Sequence, residues 1–395
     1  MQVRNQEILK LMIGGPGSGK TNHLKWELLE GLKEGRTSIF FDYSKLNITE
    51  ELIEILPKQM YQLWDLEDEK TIGILCFQEM YQRWEEKTEE EKRDALNPVV
   101  DDMMISFQAL KSEQMKKLSE VEKEYLKLIL KMHFSTKYQT IWSLKGSIEN
   151  YEKEEAIIFL RAIKCGILTS EEIEFYRVQQ INVEKTYRFL SKMIGEQSIE
   201  MLEFSRKNES GPLIEVNKPQ IILIKYSKMA SCDVSIENRL FVTSMLMNRI
   251  MSAIREGSIS TPIQFVHDEV VERLGFGIRH QLNRILELAP SLNTKLIVTG
   301  YNLPTIKPLF GDLEGYSPTY NFCGCAFYSK DFEGFETDSL KTNIHSYLSK
   351  AGRKDVLELI YESGEYLPCS KQRVTFTKEN FENYLISQTF KNYAS

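Results

Sequence analysis

Residues 14–21 read Gly-Gly-Pro-Gly-Ser-Gly-Lys-Thr and meet the spacing G-x-x-x-x-G-K-[ST] through Gly14, Gly19, Lys20 and Thr21. Glycines let successive backbone N–H groups converge on an anion with no side chain in the way, and a following helix N-terminus adds its positive end. A triphosphate is the natural guest. Lys20 would reach the β- and γ-phosphates, and the Thr21 hydroxyl would take one position on Mg²⁺, which prefers oxygen ligands. The expected cofactor contacts run from Gly14, Gly15, Pro16, Gly17, Ser18 and Gly19 through Lys20 and Thr21 to Asn22. A second acidic centre completes this chemistry. Pro262-Ile-Gln-Phe-Val-His-Asp268-Glu269 reads as a buried strand delivering two carboxylates at its C-terminal end. Asp268 is then the expected Mg²⁺ partner and Glu269 the group that polarises the attacking water.

These groups need a strand before the loop and a helix after it, and both patterns are present. The apolar run Ile8 to Ile13 precedes the loop, and Leu24, Leu28, Leu29 and Leu32 follow at helical spacing. Further β-rich runs are Ser38 to Tyr43, Gln220 to Tyr226, Lys295 to Thr299 and Gly324 to Ser329. Asp42 ends the first of them and either faces the nucleotide cleft or a neighbouring subunit, or is an exposed turn residue. After Thr299 come Gly300, Tyr301 and Asn302, where a polar sensor of the γ-phosphate is expected. His267 alternates to the opposite side of the sheet from Asp268 and reads as a packed histidine.

Between about 51 and 212 the texture changes to long Glu/Lys-rich segments of helical period with few Gly and Pro and no convincing strand. Thr88 with Glu91 and Thr169 with Glu172 have capping-box spacing. One apolar face runs through Leu110, Leu118, Val121, Tyr125, Leu128 and Met132. Glu85 to Arg93 reads as a solvated helix face. The β pattern returns after Gly211-Pro212, and Asn238 to Glu256 forms a long amphipathic helix whose methionines read as core packing. Helices are also expected through Leu282 to Leu288, near Ser339 to Leu348, and over Lys378 to Ile386 with Thr377 as N-cap; Arg373 to Phe376 reads as a short strand. The domain expectation is therefore 1–50 and 213–395 for a discontinuous nucleotide-binding domain and 51–212 for an all-α insert.

Composition narrows the class. The chain has 395 residues, 42% hydrophobic and 27% charged, with a net charge of −7, which argues against a protein that coats nucleic acid by bulk charge. A local basic groove remains compatible with that balance. No apolar run reaches the length of a membrane span and the polar N-terminus leaves no room for a signal peptide, so a cytoplasmic protein is expected. Its six cysteines lack paired C-x-x-C spacing; Cys323-Gly-Cys325 is a weak metal signal against the plainer reading of buried thiols.

The order of parts resembles the FtsK–HerA superfamily of RecA-like ATPases, and within it the type IV coupling proteins of conjugation and secretion, the TraG-like branch. It runs from an N-terminal phosphate loop and a second strand ending in Asp, through a large helical insertion, to an acidic strand and a sensor strand. Tyr301-Asn-Leu-Pro-Thr-Ile-Lys-Pro-Leu-Phe310-Gly311 is similar to the family's Gln-Ser-Leu-x-Gln-Leu-x-x-x-Tyr-Gly stretch, with Tyr301 in place of its sensor glutamine and Thr305 in place of the second. Asp42-Tyr-Ser-Lys45 replaces the family's Asp-Pro-Lys-Gly, and a member without the N-terminal membrane anchor that many carry is expected.

The resemblance implies an α/β, RecA-like P-loop NTPase domain with a large all-α domain inserted after the second strand, using ATP and Mg²⁺. It implies a homo-oligomer, hexameric when active, that moves DNA independently of sequence, or a relaxase-type DNA–protein substrate, with no membrane span of its own. Secretion-channel or adaptor proteins would dock on the helical domain and could hold the chain at the inner face of the membrane. Catalytic roles fall to Lys20, Glu269, Tyr301 and Asn302, and Arg279 and Arg284 are candidates for an arginine finger. Two other readings stay open: a viral genome-packaging ATPase, against which the large helical insertion argues, and a non-motor switch held in one conformation by ATP.

Overall fold

The computed structural model describes residues 7–43, 48–66, 80–110, 115–135, 141–179, 183–195, 214–226, 236–310, 313–323, 355–362, 365–372 and 374–388. The chain divides into two compact units, one of Met1–Leu66, Val216–Cys232 and Thr261–Ser395, the other of Glu67–Glu215 and Asp233–Ser260. The sequence reading kept 233–260 with the nucleotide-binding part; the structure groups it with the helical part. The expected strand over 324–329, the expected helix near 339–348 and Gly211-Pro212 lie outside the described residues.

The first unit is built on a nine-stranded sheet. Its strands are β1 (Leu9–Ile13), β2 (Thr37–Asp42), β3 (Tyr61–Asp65), β4 (Ile221–Lys225), β5 (Ile263–His267), β6 (Thr294–Gly300), β7 (Thr319–Cys323), β8 (Asp355–Glu362) and β9 (Glu365–Gln372). The order is β3-β4-β2-β5-β6-β1-β7-β8-β9, parallel from β3 to β7 and antiparallel from there on. Strands β1, β2, β5 and β6 are buried along their whole length, as parallel strands covered on both faces must be. Four strands escaped the sequence reading: β3, β7, β8 and β9. Strand β3, in a stretch read as wholly helical, is a short edge strand with Gln62 and Leu63 exposed. The β8–β9 hairpin has buried Glu358 in its apolar face, which breaks the alternation that would announce a strand. Of the short strand expected over Arg373 to Phe376, residues 374–376 join no ladder and Arg373 lies outside the described residues.

Helix α1 (Lys20–Lys33) covers the sheet with Leu24, Leu28, Leu29 and Leu32 against Phe40, Val266 and Ile297, joined by α2 (Ile48–Ile55) through Ile48 and Leu52. One buried ion cluster ties this helix to the strands beneath it. Lys10 on β1 meets Glu27 on α1 at 3.1 Å, Glu358 on β8 at 3.5 Å and Glu7 at 3.6 Å. Burial alone would lower the Lys10 pKa, but the carboxylates of Glu27, Glu7 and Glu358 outweigh it and hold the ammonium charged.

The second unit carries α3 (Glu89–Leu110), α4 (Glu120–His133), α5 (Ile141–Glu149), α6 (Tyr151–Lys164), α7 (Ser170–Gln179), α8 (Val183–Gly195) and α9 (Ile236–Arg255). The capping boxes expected at Thr88/Glu91 and Thr169/Glu172 are formed, and a third closes at Ser119/Glu122. That third cap corrects the sequence reading: the apolar face drawn from Leu110 to Met132 is broken, with α3 ending at Leu110 and α4 starting at Glu120. Helix α9 packs on α3, where Arg255 pairs with Asp102 at 3.1 Å and Asn248 donates to Ser106 at 3.2 Å. Leu240, Met245, Met247 and Met251 are buried as expected, and this packing on α3 is why the segment groups with the helices.

Candidate nucleotide and metal site

Strand register brings the two sequence motifs together. Ile13, at the end of β1, is level with Gly300 on β6, and His267 on β5 is level with Val298, so the residues that follow sit on neighbouring strand ends. The loop leaves β1 with Gly14 N–H donating to the Gly300 carbonyl at 3.2 Å. Gly19 ends it at φ 86°, a left-handed conformation that costs a residue with a Cβ. Gly14 has no room for one either: a Cβ there would lie 2.5 Å from Ser18 Oγ and 2.7 Å from the Cys323 carbonyl oxygen.

Lys20 is buried, and its Nζ folds back to donate to the Gly14 and Gly15 carbonyls, at 2.5 Å and 3.2 Å. The same ammonium stands 5.0 Å from the centre of the Tyr301 ring. Asp268, also buried, accepts from the Thr299 hydroxyl at 2.5 Å, and Thr299 Oγ1 in turn accepts from the Glu269 N–H at 2.8 Å. Burial pushes the Asp268 carboxyl up to about 6; Glu269 and Asp42 push the same way, while the Thr299 hydrogen bond and the Lys20 charge pull it down. Lys20, Asp268, Glu269 and Asp42 therefore share one electrostatic neighbourhood.

Glu269 adopts a left-handed backbone, φ 48° and ψ 44°, uncommon for a residue with a side chain. It lies two residues past the end of β5 at the N-cap of α10 (Val270–Leu274), and its carboxylate pairs with Arg273 at 3.0 Å. Burial, with Glu269 and Glu272 next, holds the Tyr301 phenol above its usual value, and the Tyr301 N–H reaches Glu272 Oε1 at 3.4 Å.

Other expected residues are engaged elsewhere. Asn302 caps α12 (Leu303–Ile306), its Oδ1 accepting from the Thr305 N–H at 2.9 Å and hydroxyl at 2.5 Å, after α11 (Arg279–Leu292) and β6. Asn22 binds the 374–376 segment through both ends of its amide, Nδ2 to the Val374 carbonyl at 3.1 Å and Oδ1 from the Phe376 N–H at 2.6 Å. Asp42 is no exposed turn residue. It is buried and accepts from the Thr49 N–H and hydroxyl, both at 2.8 Å, so it anchors α2. His267 stacks on Phe41 at 4.4 Å and its Nδ1 lies 2.8 Å from the Tyr43 hydroxyl, with burial lowering its pKa to about 3. Arg279 is exposed at the start of α11 and Arg284 half-buried. Thr299 and Arg273 were missed because a threonine in a strand and an arginine in a short helix carry no spacing signal.

The residues suit a phosphate-bound Mg²⁺. Gly14 keeps the loop open, Ser18 Oγ is buried inside it with no hydrogen-bond partner, and Thr21 with Asp268 offers hard oxygen donors. Among the described residues no cluster of three or more His, Cys, Asp or Glu forms a separate metal site, and Cys165 and Cys323 are in no disulfide.

A parallel sheet with a glycine loop between its first strand and first helix, and an acidic strand two places away, is one arrangement among known folds. The chain has the RecA-like P-loop NTPase fold. It is similar to VirB4 of Thermoanaerobacter pseudethanolicus, with a TM-score of 0.53 at 14% identity over 93% of this chain and 89% of that one. Two forms of the bacterial conjugative coupling protein TrwBΔN70 are also similar. The trigonal form in complex with sulphate has a TM-score of 0.46 at 12% identity, over 97% of this chain and 82% of that one. The unbound monoclinic form has a TM-score of 0.45 at 12% identity, over 97% and 81%. No family profile and no curated protein sequence matches the chain. Among the described residues no helix is long and apolar enough to cross a membrane.

Proposed function

We propose that this RecA-like chain is a Mg-ATP-dependent ATPase of a conjugation or type IV secretion apparatus, working as a coupling-protein-like translocase of DNA or a DNA–protein substrate. The observation that carries the reading is the meeting of Lys20, Asp268 and Tyr301 at one loop, with Glu269 adjoining. Lys20 would leave its carbonyl partners for the terminal phosphates, and Ser18 Oγ and the loop N–H groups would bind phosphate oxygens. Mg²⁺ supplies charge neutralisation at the transferred phosphoryl group when bound, held by Thr21 and Asp268. Thr299 holds the Asp268 carboxylate and the Glu269 backbone in register. Glu269 orients the attacking water, and Tyr301, beside Lys20, stands where a sensor of the γ-phosphate belongs. Homo-oligomers, hexameric when active, and docking of channel or adaptor proteins on the helical unit complete the proposal. So does a cytoplasmic place at the membrane's inner face.

ATP hydrolysis by purified protein, with and without DNA and over a salt series, tests it. Lys20→Ala and Glu269→Gln are each expected to cut turnover about 100-fold or more, and DNA stimulation to fall steeply with salt. Turnover unchanged in both variants removes the enzyme reading. Turnover that both variants lose but DNA never stimulates favours the non-motor switch.

A further inference from the structure

Glu269 is held both at its backbone and at its side chain. Thr299 fixes the N–H, and Arg273 fixes the carboxylate, its Nη2 donating to Oε2 at 3.0 Å. Among the described residues Arg273 is the only cation paired with this carboxylate, and both side chains are mostly out of water, 24% exposed for Arg273 and 21% for Glu269. The bond is made at one oxygen. Oε1 is engaged by no side chain among the described residues, so the carboxylate is fixed in orientation with one acceptor left open.

The arginine stands on a fixed support. Helix α10 is tied to the end of β6 twice, at its start by the Glu269 N–H on Thr299 and in its middle by Glu272, whose Oε1 accepts from the Tyr301 N–H at 3.4 Å. Val270 and Leu274 anchor the same turn in the core. Arg273 is thus carried at the spacing from which a side chain on a helix reaches back to the residue four before it. Its charge is also felt at Tyr301: burial, Glu269 and Glu272 raise that phenol, and Arg273 pulls it down. The Tyr301 ring lies 5.0 Å from Lys20 Nζ, so the guanidinium and the phosphate-loop ammonium stand around one ring.

We propose that Arg273 is a positioning residue for ATP hydrolysis: it locks the Glu269 carboxylate with Oε2 in the ion pair and Oε1 presented to the attacking water. This rests on the role given to Glu269 above and adds the group that orients it. Without Arg273 a glutamate side chain turns about several bonds, and a carboxylate that must hold a water in line with a phosphorus atom spends little of its time in the right place. The ion pair draws charge from the carboxylate and weakens it as a base. Orientation outweighs that loss, because a loose phosphoryl-transfer transition state asks more for placement of the water than for removal of its proton. An arginine finger would need the opposite, a guanidinium free to reach the phosphate, and Arg273 is committed to Glu269.

Steady-state hydrolysis of MgATP by the full chain, with and without DNA, tests this on wild type, Arg273→Ala, Arg273→Lys, Glu269→Gln and the double variant Arg273→Ala/Glu269→Gln. Arg273→Ala is expected to lower kcat about tenfold or more, with KM for ATP within about twofold of wild type and a melting temperature within a few degrees of it. Arg273→Lys is expected to bring turnover back to within about threefold of wild type, because a pair made at one oxygen asks only for a charge at that spacing. On the Glu269→Gln background Arg273→Ala should cost less than about twofold more, as for two groups acting as one. Turnover unchanged or raised in Arg273→Ala overturns the proposal, as does a loss that lysine does not recover or that comes with unfolding at the assay temperature. A full tenfold loss on the Glu269→Gln background also overturns it, since Arg273 would then act without Glu269. Wild type without turnover, or Glu269→Gln as active as wild type, overturns the reading of Glu269 itself, a result distinct from failure of the Arg273 variants alone.

Discussion

Thr299→Val keeps the shape of a fully buried side chain and removes a single hydroxyl. That hydroxyl donates to Asp268 Oδ1 at 2.5 Å and accepts from the Glu269 N–H at 2.8 Å. A hydrogen bond ending on a carboxylate contributes about 1.5–3 kcal/mol and a neutral one about 0.5–1.5. The variant should therefore lose about 2–4 kcal/mol while Asp268 is ionised. The penalty depends on pH with a definite sign. Asp268 is raised to about 6 by burial, so its buried charge costs stability above that value and the cost fades as the pH falls toward the unfolded-state value near 3.8. Removing Thr299 raises the carboxyl further, by about one unit per 1.4 kcal/mol of lost interaction with the charged form. Urea unfolding near pH 8 and near pH 5 reads both effects. The midpoint of the transition that reports on the sheet should drop by about 1 M at the higher pH and by less than half as much at the lower. An unchanged midpoint near pH 8, or an equal drop at both pH values, would refute the coupling of Thr299 to an ionised Asp268.

Gly14→Val should abolish nucleotide binding with little change in the helical unit, since its Cβ would meet the Cys323 carbonyl at 2.7 Å; ATP titration with circular dichroism as the folding control checks this. Mg²⁺-dependent nucleotide binding should weaken about tenfold per pH unit below about 6, because a divalent ion requires the Asp268 carboxylate and a proton competes for it; affinities measured from pH 5 to 8 that stay flat would contradict it. His267 is held neutral down to about 3 by burial, so it contributes stability above its usual 6.5 that is lost as the pH falls toward 3. His267→Phe should reduce the acid sensitivity of unfolding in that window relative to wild type, and equal slopes would count against it.

The residues that could do chemistry were legible because their signals are local. The glycine spacing before Lys20-Thr21 reports backbone that must approach an anion, and an apolar run ending in Asp268-Glu269 reports a buried strand with a polar tip. The capping boxes at Thr88 and Thr169 are equally local, and both formed. Partners chosen across the sheet were not legible. Asn22 looked like part of the phosphate loop, yet its amide is bound to Val374 and Phe376, more than three hundred residues away along the chain. Asn302 looked like a sensor and is bound to the turn it starts. The β8 strand hid because Glu358 is buried against Lys10, a pairing no local window contains.

The sequence by itself determined which backbone could cradle an anion and which strand would end in carboxylates, because each depends on residue type and spacing within a few positions. Only the tertiary structure decided that Thr299 bridges Asp268 to Glu269, that Arg273 holds Glu269, that β3 joins the sheet, and that the 374–376 segment is bound to α1. Those outcomes turn on strand order and register, which bring together groups far apart in the chain and leave no trace in the spacing of either one.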